Sequence, residues 1–200
     1  MLEPLSVALH AVSLAPVQAG DTALVVGAGM IGLLLVQVLS TAGCSRIFVA
    51  DLDQSRLDLA RTVGATDVIA AGTDPAEAVL QHTSGTGVDI AMEAVGRTET
   101  VQASIDSVRK GGTVVLVGNI TPEVALPLQK VVTRQIRLQG SCASAGEYPR
   151  AIELLASGAI EVRSLISAVA PLAHGPQWFA RLYAREPYLM KVILAPGEYT

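Results

Sequence analysis

Three glycines at fixed spacing are the strongest chemical signal in this chain. Gly27, Gly29 and Gly32 form the pattern G-x-G-x-x-G, and an acid, Asp51, follows nineteen residues after the last of them. The pattern lies between an apolar run that suits a strand and the start of an amphipathic helix, which is the context in which it binds a dinucleotide. The alternative is that the glycines merely turn the chain, but the position of Asp51 favours binding.

Each position in this turn has its own predicted task. Gly27 would permit the tight turn, Gly29 would let the backbone approach a pyrophosphate, and Gly32 would let the helix pack against the strand. The pyrophosphate would then lie at the helix N-terminus, against the free amides of Met30 and Ile31 and the positive end of the helix dipole.

Asp51 predicts which dinucleotide is bound. A carboxylate at this strand end accepts hydrogen bonds from both hydroxyls of the adenosine ribose and repels a 2′-phosphate. Leu52 occupies the next position, where a cation would have suggested NADP. Arg56 either lies beside the adenine or ribose or belongs to a solvated helix face. The sequence therefore predicts NAD as the cofactor.

The same region, residues 22–39, is apolar enough to raise the alternative of a membrane span. Its glycines would interrupt such a helix, and no Lys or Arg flanks the stretch until Arg46. Thr22–Val26 is instead a β-branched run that suits a buried strand. The later apolar residues repeat at helical spacing: Ile31, Leu34, Leu35, Val38 and Leu39. We predict a strand, a turn and a helix, and no membrane segment.

Strand and helix signals then alternate along the chain. The further predicted strands are 46–50, 67–70, 88–92, 113–117, which Gly111 and Gly112 turn into, and 136–139. The predicted helices are 54–63, 75–83, 98–108 and 148–156. Residues 123–128 alternate and predict an additional edge-type strand. This alternation is typical of an α/β fold with a doubly wound, parallel, six-stranded sheet of the Rossmann type.

In such a sheet the ligand lies beyond the carboxyl ends of the strands. The loops after the fourth, fifth and sixth strands should therefore border the nicotinamide half. The residues predicted to contact the cofactor there are Ala94, Val95, Val117, Gly118, Asn119, Ser141, Cys142 and Ala143. Glu93 either pairs with a cofactor group or caps the helix that follows, and Cys142 is expected to pack rather than react.

Composition excludes several other classes of protein. Half of the 200 residues are hydrophobic and 16% are charged, as in a globular chain. The net charge of −4 with scattered basic residues gives no nucleic-acid surface, and aromatics at 4% are too sparse for base-stacking platforms. The two cysteines lack metal-ligand spacing. The opening residues carry no signal-peptide pattern, so we expect a cytoplasmic protein.

Both ends of the chain differ from the central pattern. Residues 5–15 predict a helix outside the doubly wound fold, and the tail after residue 165 predicts a strand, a helix and a strand. The predicted division is a helix and linker over 1–20, a cofactor domain over 21–165 and a C-terminal segment over 166–200. Both end segments look like parts of something larger.

The chain resembles the medium-chain, zinc-dependent alcohol and polyol dehydrogenases of the sorbitol and L-threonine dehydrogenase kind. The resemblance runs along the whole chain, through "EPLSVALHA", "GDTALVVGAGMIG", "DLDQSRLDLARTVGA", "GVDIAMEAVG", "KGGTVVLVG" and the closing "PLAHGPQWF". It implies the NAD-binding domain of an oxidoreductase that transfers hydride between NAD and a polyol or secondary alcohol. The family's GroES-like catalytic domain, which supplies the zinc ligands, is missing from this sequence.

The resemblance also implies details of the site and the assembly. The family's E-P-L glutamate, here Glu3, reaches the zinc centre of the full-length enzyme; alternatively, Glu3 simply favours the helix start through its charge. Sorbitol dehydrogenases carry an arginine and a tyrosine where this chain has Ala143 and Ser144, which puts sorbitol itself in doubt. Family members form homodimers, and here the predicted contact is the sheet edge near 123–128.

The segment alone is expected to bind NAD without bound zinc and without turning over an alcohol. The alternative reading is a non-catalytic NAD-sensing or protein-interaction module.

Overall fold

A parallel sheet forms the centre of the first of two compact units, Met1–Ile160, in the computed structural model, which describes residues 1–197. Its strands are Thr22–Val26 (β1), Arg46–Ala50 (β2), Asp67–Ile69 (β3), Val88–Glu93 (β4), Val108–Leu116 (β5) and Arg137–Gly140 (β6). Its helices are Leu2–Ser13 (α1), Met30–Thr41 (α2), Gln54–Thr62 (α3), Pro75–His82 (α4), Thr98–Ser107 (α5), Leu128–Thr133 (α6) and Tyr148–Ala156 (α7).

The strand order is β3-β2-β1-β4-β5-β6, and every neighbouring pair is parallel. This is the order of the doubly wound dinucleotide-binding sheet, so the predicted fold class is confirmed. The order reverses between β1 and β4, and a crevice opens beyond the carboxyl ends of the strands at such a point.

The apolar stretch 22–39 is divided between β1 and α2, as predicted. Leu24 and Val25 are fully buried in β1, and the buried part of α2 runs from Gly32 to Leu39. Helices on both faces of a parallel sheet bury its central strands, which explains their continuous apolar character. Among residues 1–197, no helix is long and apolar enough to span a membrane.

Helix α1 begins three residues earlier than predicted. Pro4 lies in its first turn, where the missing amide hydrogen costs nothing. Leu5, Ala8 and Ala11 are fully buried on one face of the helix, which packs against α2 and α7 within the first unit.

The amino ends of three strands are joined by one carboxyl group. Asp89 in β4 accepts hydrogen bonds from the Thr22 amide and hydroxyl, both at 2.8 Å, and from Arg109 Nε at 2.6 Å. Burial opposes ionisation here, yet these hydrogen bonds outweigh it and hold the pKa of Asp89 below its usual value. Asp89 thus joins β1, β4 and β5 near their amino ends, on the side of the sheet away from the crevice.

The predicted edge strand at 123–128 is wrong. Residues 123–127, all described, form no strand, and α6 begins at Leu128. The backbone of this segment instead bonds side chains of α5: the Ala125 amide donates to Thr98 Oγ1, and the Ala125 carbonyl accepts from Gln102 Nε2. Pro122 and Pro127 also lack the amide hydrogen that a strand ladder requires.

The second unit begins at Glu161 and has its own small sheet. It contains the strands Ile166–Pro171 (β7) and Lys191–Ala195 (β8), which pair in parallel, and the helix Gly175–Tyr183 (α8) between them. Two short 3-10 helices, Arg163–Leu165 and Leu172–His174, precede β7 and α8. The predicted strand, helix and strand are confirmed; residues 198–200 of the predicted 166–200 segment lie outside the described residues.

Candidate cofactor site beyond the strand ends

Two positions, one in the turn after β1 and one in the first turn of α2, can accept only glycine. Gly27 has φ of 98°, and a Cβ there would lie 2.7 Å from Val95 Cγ2. A Cβ at Gly32 would lie 1.8 Å from the Gly27 carbonyl oxygen, an overlap that would force strand and helix apart. These are the tight turn and the close helix–strand packing that the sequence predicts.

The N-terminus of α2 is left open. Its N-cap is Gly29, the first turn carries no acid, and no side chain in the described part of the chain caps it. By contrast, Asp53 and Asp74 cap α3 and α4 with their side chains. Apart from Gly29 itself and its neighbours Ala28 and Met30, no described residue has an atom within 4 Å of the place where a Cβ of Gly29 would stand. Free amides at Met30 and Ile31 beside open space form the arrangement that receives a phosphate.

Asp51 directly follows β2 and is already bonded to the glycine turn. Its Oδ2 accepts from the Ala28 amide at 2.6 Å, and its Oδ1 accepts from the Asp53 amide at 2.9 Å. Two ionised oxygens offer about four acceptor positions, so lone pairs remain for two ribose hydroxyls. The contact with Ala28 was not anticipated from the sequence, since no pattern marks a backbone donor.

Arg56 and Leu52 flank this carboxyl group at the surface. Arg56 Nε lies 3.8 Å from Asp53 Oδ2 across one turn of α3, with 42% of its side chain exposed. Leu52 is 85% exposed. The role of Arg56 beside the adenine or ribose stays a prediction, and its ion pair with Asp53 fits the solvated helix face equally well.

Glu93, the last residue of β4, is completely buried. Its carboxyl group accepts hydrogen bonds from the amides of Val95 and Gly96 in the following loop. The helix after that loop has Arg97 as its N-cap, so Glu93 caps the loop rather than the helix. A glycine soon after a strand-end acid was the only sequence signal for this contact.

The loop after β6 carries the last three predicted cofactor residues. The Ser141 amide continues the sheet by donating to Leu116 O at 2.9 Å, and its hydroxyl oxygen is buried without a hydrogen-bond partner among residues 1–197. Ala143 has φ of 55°. Cys142 is exposed, so the prediction that it packs is wrong: this part of the loop lies on the surface.

Glu147 ties the end of this loop to α1. Its Oε1 lies 2.7 Å from His10 Nδ1, and its Oε2 accepts from the Ala145 amide. Although desolvation acts in the opposite direction, the hydrogen bonds from His10 and Ala145 lower the pKa of Glu147.

The predicted cofactor residues other than Arg56 thus lie near the carboxyl ends of β1, β2, β4, β5 and β6. Most stand in the loops that follow these strands, and Met30, Ile31 and Gly32 stand in the first turn of α2. In a parallel sheet the carboxyl ends of all the strands lie on the same side, so residues that follow the strands are brought close together there. Glu3 is separate from them: it lies exposed in the first turn of α1. Among residues 1–197, no three His, Cys, Asp or Glu side chains cluster as metal ligands, so the described residues do not form a zinc site by themselves.

Comparison with known proteins decides the family. Residues 31–157, more than half of the chain, match the family described as zinc-binding dehydrogenase. The chain belongs to the zinc-binding dehydrogenase family. The resemblance drawn from the sequence motifs is thereby confirmed.

Individual relatives of this zinc-binding dehydrogenase chain agree. L-idonate 5-dehydrogenase of Vitis vinifera is 36% identical over 172 residues, which are 84% of this chain and 47% of the relative. Sorbitol dehydrogenase of Bacillus subtilis (strain 168) is 31% identical over 200 residues, 99% of this chain and 57% of the relative. The chain therefore spans about half the length of the curated relatives it matches.

Solved structures share the fold as well. A Sinorhizobium meliloti 1021 protein solved bound to NADP superposes with a TM-score of 0.88 at 32% identity, over 98% of this chain and 58% of that protein. Similarity at this level extends beyond the sheet to nearly every described element.

Proposed function

We propose that this chain is the NAD(H)-binding part of a dehydrogenase that transfers hydride between NAD and a polyol or secondary alcohol. The observation that carries the proposal is the open N-terminus of α2, which faces free space beside Gly29 while Asp51 is bonded to the same turn. Family membership and the polyol-type names of the relatives support the substrate class.

The chain's own residues favour NAD over NADP, although the Sinorhizobium meliloti relative was solved bound to NADP. A 2′-phosphate would meet the Asp51 carboxylate, whose oxygens the Ala28 and Asp53 amides hold in place. The next residue is Leu52, which brings no compensating cation. Two negative charges placed side by side repel each other, so NAD is the favoured dinucleotide.

The chain's own contribution to the reaction is positioning. The α2 N-terminus would hold the pyrophosphate, Asp51 would hold the adenosine ribose, and the loops after β4, β5 and β6 would border the nicotinamide half. NAD bound there supplies the hydride acceptor. The described residues do not fit a zinc site, and Glu3 as a ligand in the full-length enzyme stays a proposal.

Calorimetric titration of the 200-residue chain with NADH and with NADPH tests the proposal. We expect saturable 1:1 binding of NADH and at least about tenfold weaker binding of NADPH, a difference of about 1.4 kcal/mol. Equal affinities would overturn the cofactor preference, and no binding of either would overturn the proposed function.

The chain by itself is expected to bind NAD without turnover. Incubation with NAD, added zinc and a panel of polyols and secondary alcohols should give no NADH absorbance above a cofactor-only blank. Zinc-dependent turnover would show that a complete site forms from residues assigned no catalytic role here. The exposed side chains of Val169, Leu172 and Phe179 in the second unit support the proposal that this segment packs on another part of a longer enzyme.

We also propose that two copies pair through the sheet edge near 123–128. β6 is the outermost strand there, and Leu126, Leu128 and Val132 expose 40%, 65% and 65% of their surface. Exposed strand edges need a partner or protection. Sedimentation at high micromolar concentration should show a dimer that Leu128→Asp disrupts, and a strictly monomeric profile would contradict it.

The two free cysteines support a reducing, cytoplasmic location.

A further inference from the structure

The carboxyl group of Glu93 lies beneath two loops of the candidate site. Its side chain is 0% exposed, and burial of a carboxyl group is costly unless it is hydrogen-bonded. Its bonds run only into the loop that follows, among the described residues: Oε1 accepts from the Val95 amide at 3.0 Å, and the Gly96 amide donates to Oε1 at 2.8 Å and to Oε2 at 3.0 Å. This one side chain therefore holds the Val95 and Gly96 amides of the 94–96 loop, while the Ala94 amide bonds the Val26 carbonyl of β1 at 2.9 Å.

The backbone of the same residue holds the loop after β5. The Glu93 carbonyl oxygen accepts from the Val117 amide at 2.8 Å and from the Gly118 amide at 3.0 Å. Glu93 is thus bonded to both loops at once, through its side chain to one and through its backbone to the other.

The two loops are also bonded to each other. The Ile120 amide donates to the Val95 carbonyl at 3.3 Å, while the amide and hydroxyl of Thr121 donate to the Gly96 carbonyl at 3.0 and 2.8 Å. A Cβ at Gly118 would lie 2.2 Å from the Val95 carbonyl carbon, so the loops touch backbone to backbone. These bonds join the two loops directly, independently of Glu93.

This pair of loops continues into the glycine turn. Val95 Cγ2 occupies the space beside Gly27, so the 94–96 loop borders the proposed pyrophosphate position on one side and the 117–119 loop on the other. The adenosine end of the site depends on different contacts, namely the bonds between Asp51 and the Ala28 and Asp53 amides. Glu93 takes no part in those bonds.

We propose that Glu93 is a positioning residue for the nicotinamide half of the cofactor: its buried carboxyl group sets the 94–96 loop against the 117–119 loop and so places the backbone groups that border the ring. Glu93 acts through these loops and does not itself touch the cofactor. This inference rests on the proposed function, since the place of the ring follows from NAD binding.

Comparison of NADH with ADP-ribose isolates this role. ADP-ribose keeps the adenosine and the pyrophosphate but lacks the nicotinamide ring, so only a change at the ring's end alters the ratio of the two affinities. Both dissociation constants are measured by calorimetry for the wild-type chain, Glu93→Leu and Glu93→Gln. Val114→Ala, which removes buried volume from the apolar core beside β5 and takes away no hydrogen bond to either loop, is the control for general loss of stability.

Glu93→Leu is expected to weaken NADH binding about tenfold, equivalent to about 1.4 kcal/mol, and to change ADP-ribose binding by less than about twofold. Glu93→Gln keeps one acceptor oxygen but turns an NH2 group toward the loop amides, so we expect a smaller loss, about threefold. Val114→Ala should lower the melting temperature and leave the ratio unchanged. The fluorescence of bound NADH, which reports the surroundings of the ring, should change in the two Glu93 variants only.

An unchanged ratio in Glu93→Gln overturns the proposal, even where Glu93→Leu fails to fold. A wild-type chain that binds ADP-ribose as tightly as NADH also overturns it, because the loops then do not hold the ring, while the proposed function stands. Failure of the wild-type chain to bind either ligand overturns the proposed function and, with it, the placement of Glu93.

Discussion

Asp51, proposed to bind the adenosine ribose, is also bonded to the turn proposed to bind the pyrophosphate. Its Oδ2 accepts from the Ala28 amide inside the glycine pattern. The carboxyl group proposed to hold the ribose therefore also holds the backbone of the glycine turn. The sequence predicts the ribose contact, because an acid at this spacing is a known fingerprint. The contact with Ala28 could not be predicted, because it depends on the direction of one peptide plane.

Asp51→Ser should narrow the difference in affinity between NADH and NADPH and should also weaken the binding of NADH. The serine removes the charge that opposes the 2′-phosphate, and it loses at least one of the two acceptor oxygens that hold the turn. We expect the ratio of the two affinities, measured by calorimetry, to approach one. Asp58→Ser removes an equal charge from the exposed face of α3 and is the control. A ratio that stays at its wild-type value in Asp51→Ser would refute the role of this carboxyl group.

Asp89 lies near the amino ends of the strands, and its contribution to the stability of the fold depends on pH. Because its pKa is lowered in the folded protein, the stability it contributes is present above about pH 4, near the pKa of an unfolded aspartate, and is lost as the pH falls through the folded value. Asp89→Asn should therefore reduce the free energy of unfolding at pH 7 by about 1–2 kcal/mol, and the difference from wild type should shrink toward pH 3. Urea denaturation at both pH values measures this.

Asp106→Asn is the matched control, since Asp106 pairs with Lys130 at the surface. Surface ion pairs contribute little, and we expect a change within about 0.5 kcal/mol. A loss in Asp89→Asn that is equally large at pH 3 and pH 7 would contradict the ionic origin of its effect.

Among the elements, the unit formed by β1, the glycine turn and α2 distinguishes packing from ligand contact. A Cβ at Gly32 would overlap the Gly27 carbonyl, whereas a Cβ at Gly29 would meet no described atom within 4 Å outside the adjacent residues. Gly29 also has φ of −71°, which alanine adopts without strain. Two glycines three residues apart thus have different reasons for their identity.

Gly29→Ala should fold with stability within about 0.5 kcal/mol of wild type and lose most of its NADH affinity, because the methyl group would occupy space proposed for the pyrophosphate. Gly32→Ala should be strongly destabilised or fail to fold. Thermal melts and NADH titration of the two variants measure both effects. Undiminished NADH binding by Gly29→Ala would show that the pyrophosphate lies elsewhere.

Elements with one strong local signal were predicted well, and elements determined by distant contacts were not. β1, β2 and α7 have the predicted bounds, because β-branched runs, helical spacing and glycine stops all agree there. β5 begins five residues earlier than predicted, since Val108 pairs with Val88 before the register shifts to Ile90 and Thr113. The segment 123–127 alternates like a strand, but Thr98 and Gln102 from α5 bond its backbone.

For the candidate site, the sequence predicts which residues stand at the strand ends but not what joins them. Spacing alone identified the glycine turn and Asp51. Buried contacts such as those of Glu93 with the Val95 and Gly96 amides, or of Thr121 with Gly96, depend on how two loops pack. Sequence left both interpretations of Glu93 open for that reason.

At the scale of the whole molecule, the first unit contains every residue proposed to bind the cofactor. Met1–Ile160 has its own core, while the second unit, from Glu161 onward, has a separate two-stranded sheet. A chain that ends at residue 160 should therefore fold and bind NADH with an affinity within about threefold of the 200-residue chain, a difference below about 0.7 kcal/mol. Circular dichroism and calorimetry measure both properties. A folded but non-binding 1–160 chain would mean that the second unit supplies part of the site.

The most direct test of the central claim is an NMR titration of the 15N-labelled 200-residue chain with NADH. If NADH binds beyond the carboxyl ends of the strands, the amide signals of 27–32, 94–96, 117–119 and 141–143 should shift as NADH is added. The amide signals of Thr22, Arg46 and Val88, at the amino ends of their strands, should not shift. Shifts confined to the amino ends of the strands, or no shifts at millimolar NADH, would contradict binding at this site.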